Sequence, residues 1–221
     1  MIPKKISILI PACNEATVID LPIKRCLEAF QTHELDGEII IMDSSTDDTP
    51  KIAESLGCKV VSVPKQGIGK AYMEGLNHVT GDYIVMGDAD GTYDFMEMKP
   101  LIDRLDQGYD FVMGSRLKGR IKKGAMPWSH RYVGTPILTW FINRFYHTSL
   151  SDCNSGLRAL TKDAYSKMQL SSWGWEYASE MILKAHSISS SLKVCSLRLF
   201  TVYGPNSREN QFIPEAIRKL S

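Results

Sequence analysis

The sequence predicts an α/β fold, a mostly parallel sheet flanked by helices in a single domain, and three observations carry that expectation. Short apolar runs at 6–10, 38–42, 59–63, 83–86 and 111–113 alternate with helix-patterned segments near 15–30, 47–56, 68–79 and 97–106. This βαβα order produces parallel strands joined by crossover helices. At 221 residues, 43% hydrophobic and 23% charged, with no internal repeat or low-complexity linker, the chain suits one core. Acidic residues also follow the apolar runs, and ligands of open parallel sheets bind outside the carboxyl ends of the strands.

In chain order, the first run leads into the turn Pro11-Ala12-Cys13-Asn14-Glu15. The second closes on Asp43 and continues Ser44-Ser45-Thr46-Asp47. Thr46 or Asp47 reads as the N-cap of the next helix. Asp43, at the strand end itself, stands where an acid accepts hydrogen bonds from a ribose or a base. After the third run, Gln66-Gly67-Ile68-Gly69-Lys70-Ala71 sets glycines and a lysine at a helix start, where free N–H groups favour an anion. A plain loop-to-helix junction has the same composition, and the stretch is neither the dinucleotide fingerprint nor a P-loop. The fourth run ends in Gly87-Asp88-Ala89-Asp90-Gly91. Aspartate and glycine make ordinary turns, but two carboxylates this close also hold a hard cation, Mg²⁺ or Mn²⁺, together with substrate phosphates. Three strand ends thus offer polar groups to one crevice.

The fifth run gives way after Gly114 to a loop rich in Lys, Arg and Gly at 115–127 and an aromatic segment at 128–147. The half from about 115 to 221, where the regular alternation stops, therefore reads as substrate-specific, set apart from the regular half at about 1–114. Trp140, Phe141, Phe145 and Tyr146, at helical spacing, read as core. The cations beside Trp128, Tyr132, Trp140 and Tyr146 equally fit a helix lying at a membrane surface.

Composition narrows the function classes. A net charge of +1 provides no global attraction to nucleic acid. Five cysteines, odd in number and without a CxxC pair, argue against a zinc knuckle or a disulfide framework and fit a reducing cytosol. No stretch approaches the ~18 apolar residues of a spanning helix, and the N-terminus lacks the apolar core of a secretory signal.

In their order and spacing, Pro11-Ala12-Cys13-Asn14-Glu15, Asp43-Ser44-Ser45-Thr46-Asp47, Gly67-Ile68-Gly69-Lys70-Ala71 and Asp88-Ala89-Asp90 resemble the family 2 glycosyltransferases of the GT-A fold. Gly114-Ser115-Arg116, Trp128-Ser129-His130-Arg131, Asp152-Cys153-Asn154-Ser155-Gly156-Leu157-Arg158 and Glu176-Tyr177-Ala178-Ser179-Glu180-Met181 look like the polyprenyl-phosphate branch, the dolichol-phosphate mannose or glucose synthases. The likeness covers about 5–186. It implies a nucleotide-sugar pocket formed by Pro11, Asn14, Glu15, Asp43, Gly69, Lys70, Asp88, Ala89 and Asp90, with Mg²⁺ or Mn²⁺ on Asp88 and Asp90. It implies a catalytic set of Asp90, Arg116, Arg131 and Asp152, and an acceptor side of Arg116, Ser129, His130, Arg131, Ser155 and Arg158. The implied reaction moves a hexose from a donor of the UDP-glucose or GDP-mannose type to a polyprenyl phosphate, in the cytoplasm at the inner face of a membrane. Thr92 departs from the Gln that mannose synthases often carry two residues after the second Asp.

A saccharide hydroxyl acceptor would instead require a base in a soluble enzyme, for which Asp152, and behind it Glu180, are the candidates. A silent nucleotide-sugar-binding protein is a third reading. Residues 192–220 locally resemble nucleotide-sugar epimerases, but the chain lacks the GxGxxG that an NAD-binding epimerase needs.

Overall fold

The central strand β1 (Ile6–Ala12) has Ile6, Ile8, Leu9 and Ile10 fully buried, because helices cover both faces of its sheet. The structure, a computed structural model, describes residues 4–118, 120–121, 127–146, 148, 150–188, 192–198 and 201–202. After β1 come α1 (Asp20–Thr32), β2 (Gly37–Asp43), α2 (Thr49–Ser55), β3 (Lys59–Ser62), α3 (Ile68–Leu76) and β4 (Tyr83–Met86). A 3-10 turn (Phe95–Met98) precedes α4 (Lys99–Asp106), β5 (Phe111–Ser115) and β6 (Arg120–Ile121). A π-helical turn (His130–Gly134) then leads into α5 (Thr135–Tyr146), followed by β7 (Arg158–Thr161), α6 (Lys162–Met168), α7 (Tyr177–Ser187), β8 (Val194–Arg198) and β9 (Thr201–Val202).

Seven strands form the main sheet in the order β3-β2-β1-β4-β7-β5-β8, and β6 pairs with β9 apart from it. All neighbours in the main sheet are parallel except β7, which runs antiparallel to both β4 and β5. Side chains alternate across the sheet. Ile6, Ile8 and Ile10 join Ile39, Ile41, Val85 and Val112 in one core with α1 and α4. Leu9 joins Ile40, Met42, Ile84, Met86 and Phe111 in the other, with α3, α6 and α7.

The differences from expectation have local causes. The first helix starts at Asp20, not near 15, because Glu15 O accepts from both Val18 N and Ile19 N in a turn that precedes it. Asp47 does not cap α2. Asp48 holds the N-cap position, and Asp47 accepts from Thr49 N, Thr49 Oγ1 and Ala16 N, tying two loops together. Regular structure continues beyond Gly114, where β7 and β8 complete the sheet. Of the epimerase-like tail, β8 and β9 are seen, and 203–221 lies outside the described residues.

A strap formed by residues 171–176 crosses the start of α3. Lys70 N donates to Trp173 O (3.1 Å), and Glu180 of α7 accepts from Ser171 N and Ser172 N. Gly69 permits this approach, since a Cβ there would lie 2.2 Å from Ser172 O. We therefore expect Gly69→Ala to cost ~1–3 kcal/mol, the range for overpacking, despite the helix propensity it gains. Thermal unfolding followed by tryptophan fluorescence checks this, and an unchanged or raised midpoint would show that the strap does not pack as described.

Candidate active site

The loops after β1 and β2 are stitched together by side chains. Asn14, at φ +59°, a region asparagine tolerates, donates its N–H to Ser45 Oγ (2.7 Å), and its Oδ1 accepts from Thr46 N (2.8 Å). Buried Asp43 accepts from Ser45 Oγ (2.6 Å), and Glu15 N donates to Thr49 Oγ1 (2.9 Å). Beside these loops, and reaching the end of β4, is a cavity of about 490 Å³, within the ~300–1,000 Å³ of small-ligand sites.

Of the residues expected around a nucleotide sugar, Pro11, Glu15, Asp88, Ala89 and Asp90 line this cavity. Asn14 and Asp43 are not among the lining residues and tie the neighbouring loops through the bonds just described. Gly69 and Lys70 are turned to other work: Gly69 faces the strap, and Lys70 Nζ pairs with Glu74 (2.7 Å) and stands over the Trp173 ring (5.7 Å). Cys13, Lys65 and Trp175 line the cavity although the sequence did not single them out. For Lys65 the available signal was a cation just ahead of the glycine-rich helix start.

The cavity is acidic beyond what its cations balance. Burial, then the charge of Asp90, raise the Asp88 carboxyl to about 6, although Arg158 and Arg116 pull it down. Burial, Asp90 and Asp47 raise Glu15 to about 7. Burial is the larger cause of both shifts, and in the lining the three carboxylates Glu15, Asp88 and Asp90 stand against the one lysine Lys65, a deficit of positive charge. That deficit, on oxygen donors, fits Mg²⁺ or Mn²⁺. Among the described residues no group of three His, Cys, Asp or Glu is placed to hold an ion. A divalent ion on Asp88 and Asp90 would take its remaining oxygen ligands from outside these two side chains. Thr92 N donates to Asp90 Oδ1 (2.8 Å), which fixes that carboxylate from the backbone. Gly156 lets the turn before β7 close on Asp88, for a Cβ there would lie 2.6 Å from Asp88 Oδ2.

The acceptor side differs more from expectation. Asp152 is not placed as a base: fully buried, it accepts from Arg116 Nε (2.7 Å), Arg116 Nη2 (3.0 Å), Arg116 N (3.0 Å) and Asn154 N (3.1 Å). Glu180 is not one either. Burial raises its pKa, but the ammonium of Lys184 and the N–H groups of Ser172 and Ser171 outweigh it and lower the value to about 2. Ser129 and Arg131 lie outside the cavity, Arg131 over the Tyr132 ring (5.2 Å). The His130 side chain lies outside the described residues. Ser155 and Arg158 are brought to Asp88 in a smaller cavity adjoining the first.

A sequence model described as glycosyl transferase family 2 matches residues 7–168. The chain belongs to that family. The low-salt glycan biosynthesis hexosyltransferase Agl6 of Haloferax volcanii is 44% identical over 181 residues, 81% of this chain and 44% of Agl6. The chain thus spans less than half the length of that relative. The UDP-N-acetylglucosamine–dolichyl-phosphate N-acetylglucosaminyltransferase of Methanococcus voltae is 28% identical over 92% of this chain and 88% of its own. Among solved structures, glucosyl-3-phosphoglycerate synthase of Mycobacterium tuberculosis, in complex with Mn²⁺, uridine diphosphate and glucosyl-3-phosphoglycerate, superposes with a TM-score of 0.70. Its identity is 22%, over 96% of this chain and 75% of that one. The GT-A fold expected from the resemblance is the fold of this family member.

Asp152→Asn leaves Arg116 buried without its counter-charge and should cost ~3–5 kcal/mol; denaturant unfolding measures this, and wild-type stability would refute the buried pair. Glu180, ordinarily at 4.5 and near 2 when folded, stabilises the fold as the carboxylate. Its contribution is complete above its ordinary value and is lost as pH falls toward its folded value. The stability gap between the wild type and Glu180→Gln, from urea unfolding, should be constant above pH 4.5 and shrink toward pH 2. A gap that stays flat through this window would show that the strap is not held by this charge.

Proposed function

We propose that the chain is the catalytic domain of a metal-dependent, inverting glycosyltransferase that moves a hexose from a UDP-glucose or GDP-mannose type donor to a polyprenyl phosphate at the cytoplasmic face of a membrane. The observation that carries the donor side is the charge-deficient pair Asp88 and Asp90 in a cavity at the strand ends. Asp88 and Asp90 would hold the divalent ion, which when bound neutralises charge on the leaving diphosphate. Lys65 in the cavity wall adds a second positive charge. The mycobacterial synthase, solved with Mn²⁺ and uridine diphosphate, supports this reading.

The lipid acceptor is supported by α5, which is built inside out. Thr135, Thr139 and Ile142 face the protein, while Trp140, Phe141 and Phe145 are 59%, 45% and 65% exposed. Phe141 stacks on Phe145 (5.9 Å) and meets Trp140 edge-on (5.1 Å), so the exposed rings form one surface. Contiguous exposed aromatics of this kind mark an interaction site, and Arg131 and Arg144 nearby suit the lipid–water boundary. No described helix is long and apolar enough to cross a membrane. The dolichyl-phosphate acceptor named for the Methanococcus voltae relative points the same way.

The chemistry agrees with the commitment of Asp152 and Glu180. An oxygen of the acceptor phosphate attacks C1 of the hexose; the new C1–O bond forms as the bond from C1 to the diphosphate breaks, and the nucleoside diphosphate leaves with the electron pair. A phosphate monoester, with a second pKa of ~6, is already a nucleophilic dianion at neutral pH, so no base is required. Incubation with Mn²⁺ or Mg²⁺, UDP- and GDP-hexoses and a short polyprenyl phosphate should release nucleoside diphosphate only when metal and lipid are both present. Asp90→Ala should lower that rate by ~10²-fold or more. Release that ignores the lipid and follows a saccharide would overturn the acceptor assignment.

A further inference from the structure

The loop that carries Asp88 and Asp90 closes on itself. Phe95, fully buried, lays its ring against Gly87, where a Cβ would lie 2.5 Å from Phe95 Cζ. The residue before Asp88 and the residue after Asp94 therefore meet, and Gly91, at φ +74°, makes the turn between them. Hydrogen bonds hold the loop at Gly87, whose carbonyl accepts from the Tyr72 hydroxyl (3.1 Å), and at Tyr93, whose hydroxyl accepts from Gly156 N (2.7 Å). Asp94 is held by charge. Arg25 of α1 donates Nε to Asp94 Oδ1 (2.8 Å) and Nη2 to Asp94 Oδ2 (2.6 Å), and Asp94 Oδ1 also accepts from Met96 N (3.0 Å), which caps the 3-10 turn. The third arm of the guanidinium, Nη1, donates to Glu28. Two-point pairs of this kind are strong and fix orientation as well as distance.

We infer that Arg25 is a positioning residue for the reaction, which through Asp94 and Phe95 sets the Asp88 and Asp90 carboxylates for a divalent ion. The inference rests on the proposed function. Asp88 and Asp90 are two residues apart and repel each other, so a site for an ion has to hold them in place before the ion arrives. A cation inside the cavity would hold them at the cost of competing with that ion. Arg25 avoids this, since no residue of α1 lines the cavity and the guanidinium spends its bonds on Asp94 and Glu28. The cations whose fields reach Asp88 are Arg158 and Arg116. Arg25 thus acts on the acids through the shape of their loop, by the closure of Phe95 on Gly87, and not through its charge.

Manganese binding tests this without turnover. The dissociation constant of Mn²⁺, followed by its paramagnetic resonance signal in the presence of UDP or GDP, is measured for the wild type, Arg25→Lys, Arg25→Gln and Asp94→Asn. Glu38→Gln serves as the control, because Glu38 lies near the start of β2, away from the strand ends, and accepts from Ser7 Oγ, Thr80 N and Thr80 Oγ1. Arg25→Gln and Asp94→Asn should each weaken Mn²⁺ binding about tenfold, the lower end of the ~10–100-fold range for groups that orient metal ligands. The double variant should lose no more than either single one, since the two side chains act as a unit. Arg25→Lys keeps the charge but not the fork; it should weaken binding by a smaller factor, and it carries the test if the other variants do not fold. Glu38→Gln should lower the thermal midpoint and leave Mn²⁺ binding as in the wild type. Wild-type Mn²⁺ binding in every folded Arg25 variant would overturn the inference and leave the proposed function standing. Equal weakening in Glu38→Gln would do the same, by tracing the loss to general destabilisation. A wild type that binds no Mn²⁺ with either nucleotide would overturn the proposed function and the inference together.

Discussion

Negative charge buried where β1 and β4 end is the constraint around which the rest of the structure is arranged. Burial disfavours the ionised form of Asp88, and Asp90, which also raises Glu15, stands close enough to make it worse. The sheet order answers this by inserting β7 antiparallel between β4 and β5, which sets Arg158 opposite Met86, two residues before Asp88. Arg116, just past β5, brings a second guanidinium whose field also reaches Asp88. Yet Arg116 is bound on two sides by Asp152, and Arg158 is bound to carbonyls. Neither collapses onto the acids, so the site keeps an appetite for positive charge.

That arrangement requires close approaches that side chains would block. Gly156 touches Asp88, and Gly69 carries the strap. The strap in turn places Trp175, which is 80% exposed yet lines both cavities. Glu180 fixes it with N–H bonds from Ser171 and Ser172, and Glu176 accepts from Gly174 N. An acid that looks like a base is here a clamp on the wall of the site.

The fold was legible where burial on both faces leaves continuous apolar strands, as in β1, β2 and β4. The start of α1 was misplaced because Val18 and Ile19 continue the apolar pattern through the turn, Ile19 being fully buried. β7 was invisible because it has four residues and opens on a charged one, and only the finished sheet shows what that charge faces. Pro11, Glu15, Asp88 and Asp90 could be placed at one crevice from the sequence because strand ends are local features, and all four line the cavity. The commitment of Asp152 was not, since its partner lies 36 residues away and nothing in either segment announces the pair. Trp175 sits on the strap, whose course is set by its bonds to α3 and α7.

The proposed acceptor side draws its support from two absences of the ordinary that point one way. A helix normally turns apolar residues inward because their burial is the main favourable term in folding. In α5 the two threonines are buried and the aromatics face out, so this helix loses hydrophobic free energy unless something apolar covers it. A transferase acting on hydroxyls needs a free base near its acceptor, and both acids that the sequence offers for that work are saturated with hydrogen bonds. The acceptor proposed above, with an apolar tail and a phosphate head, would satisfy both conditions: its tail would belong to the surface that the exposed rings enter, and its head would bring its own nucleophile. A sugar hydroxyl would answer neither.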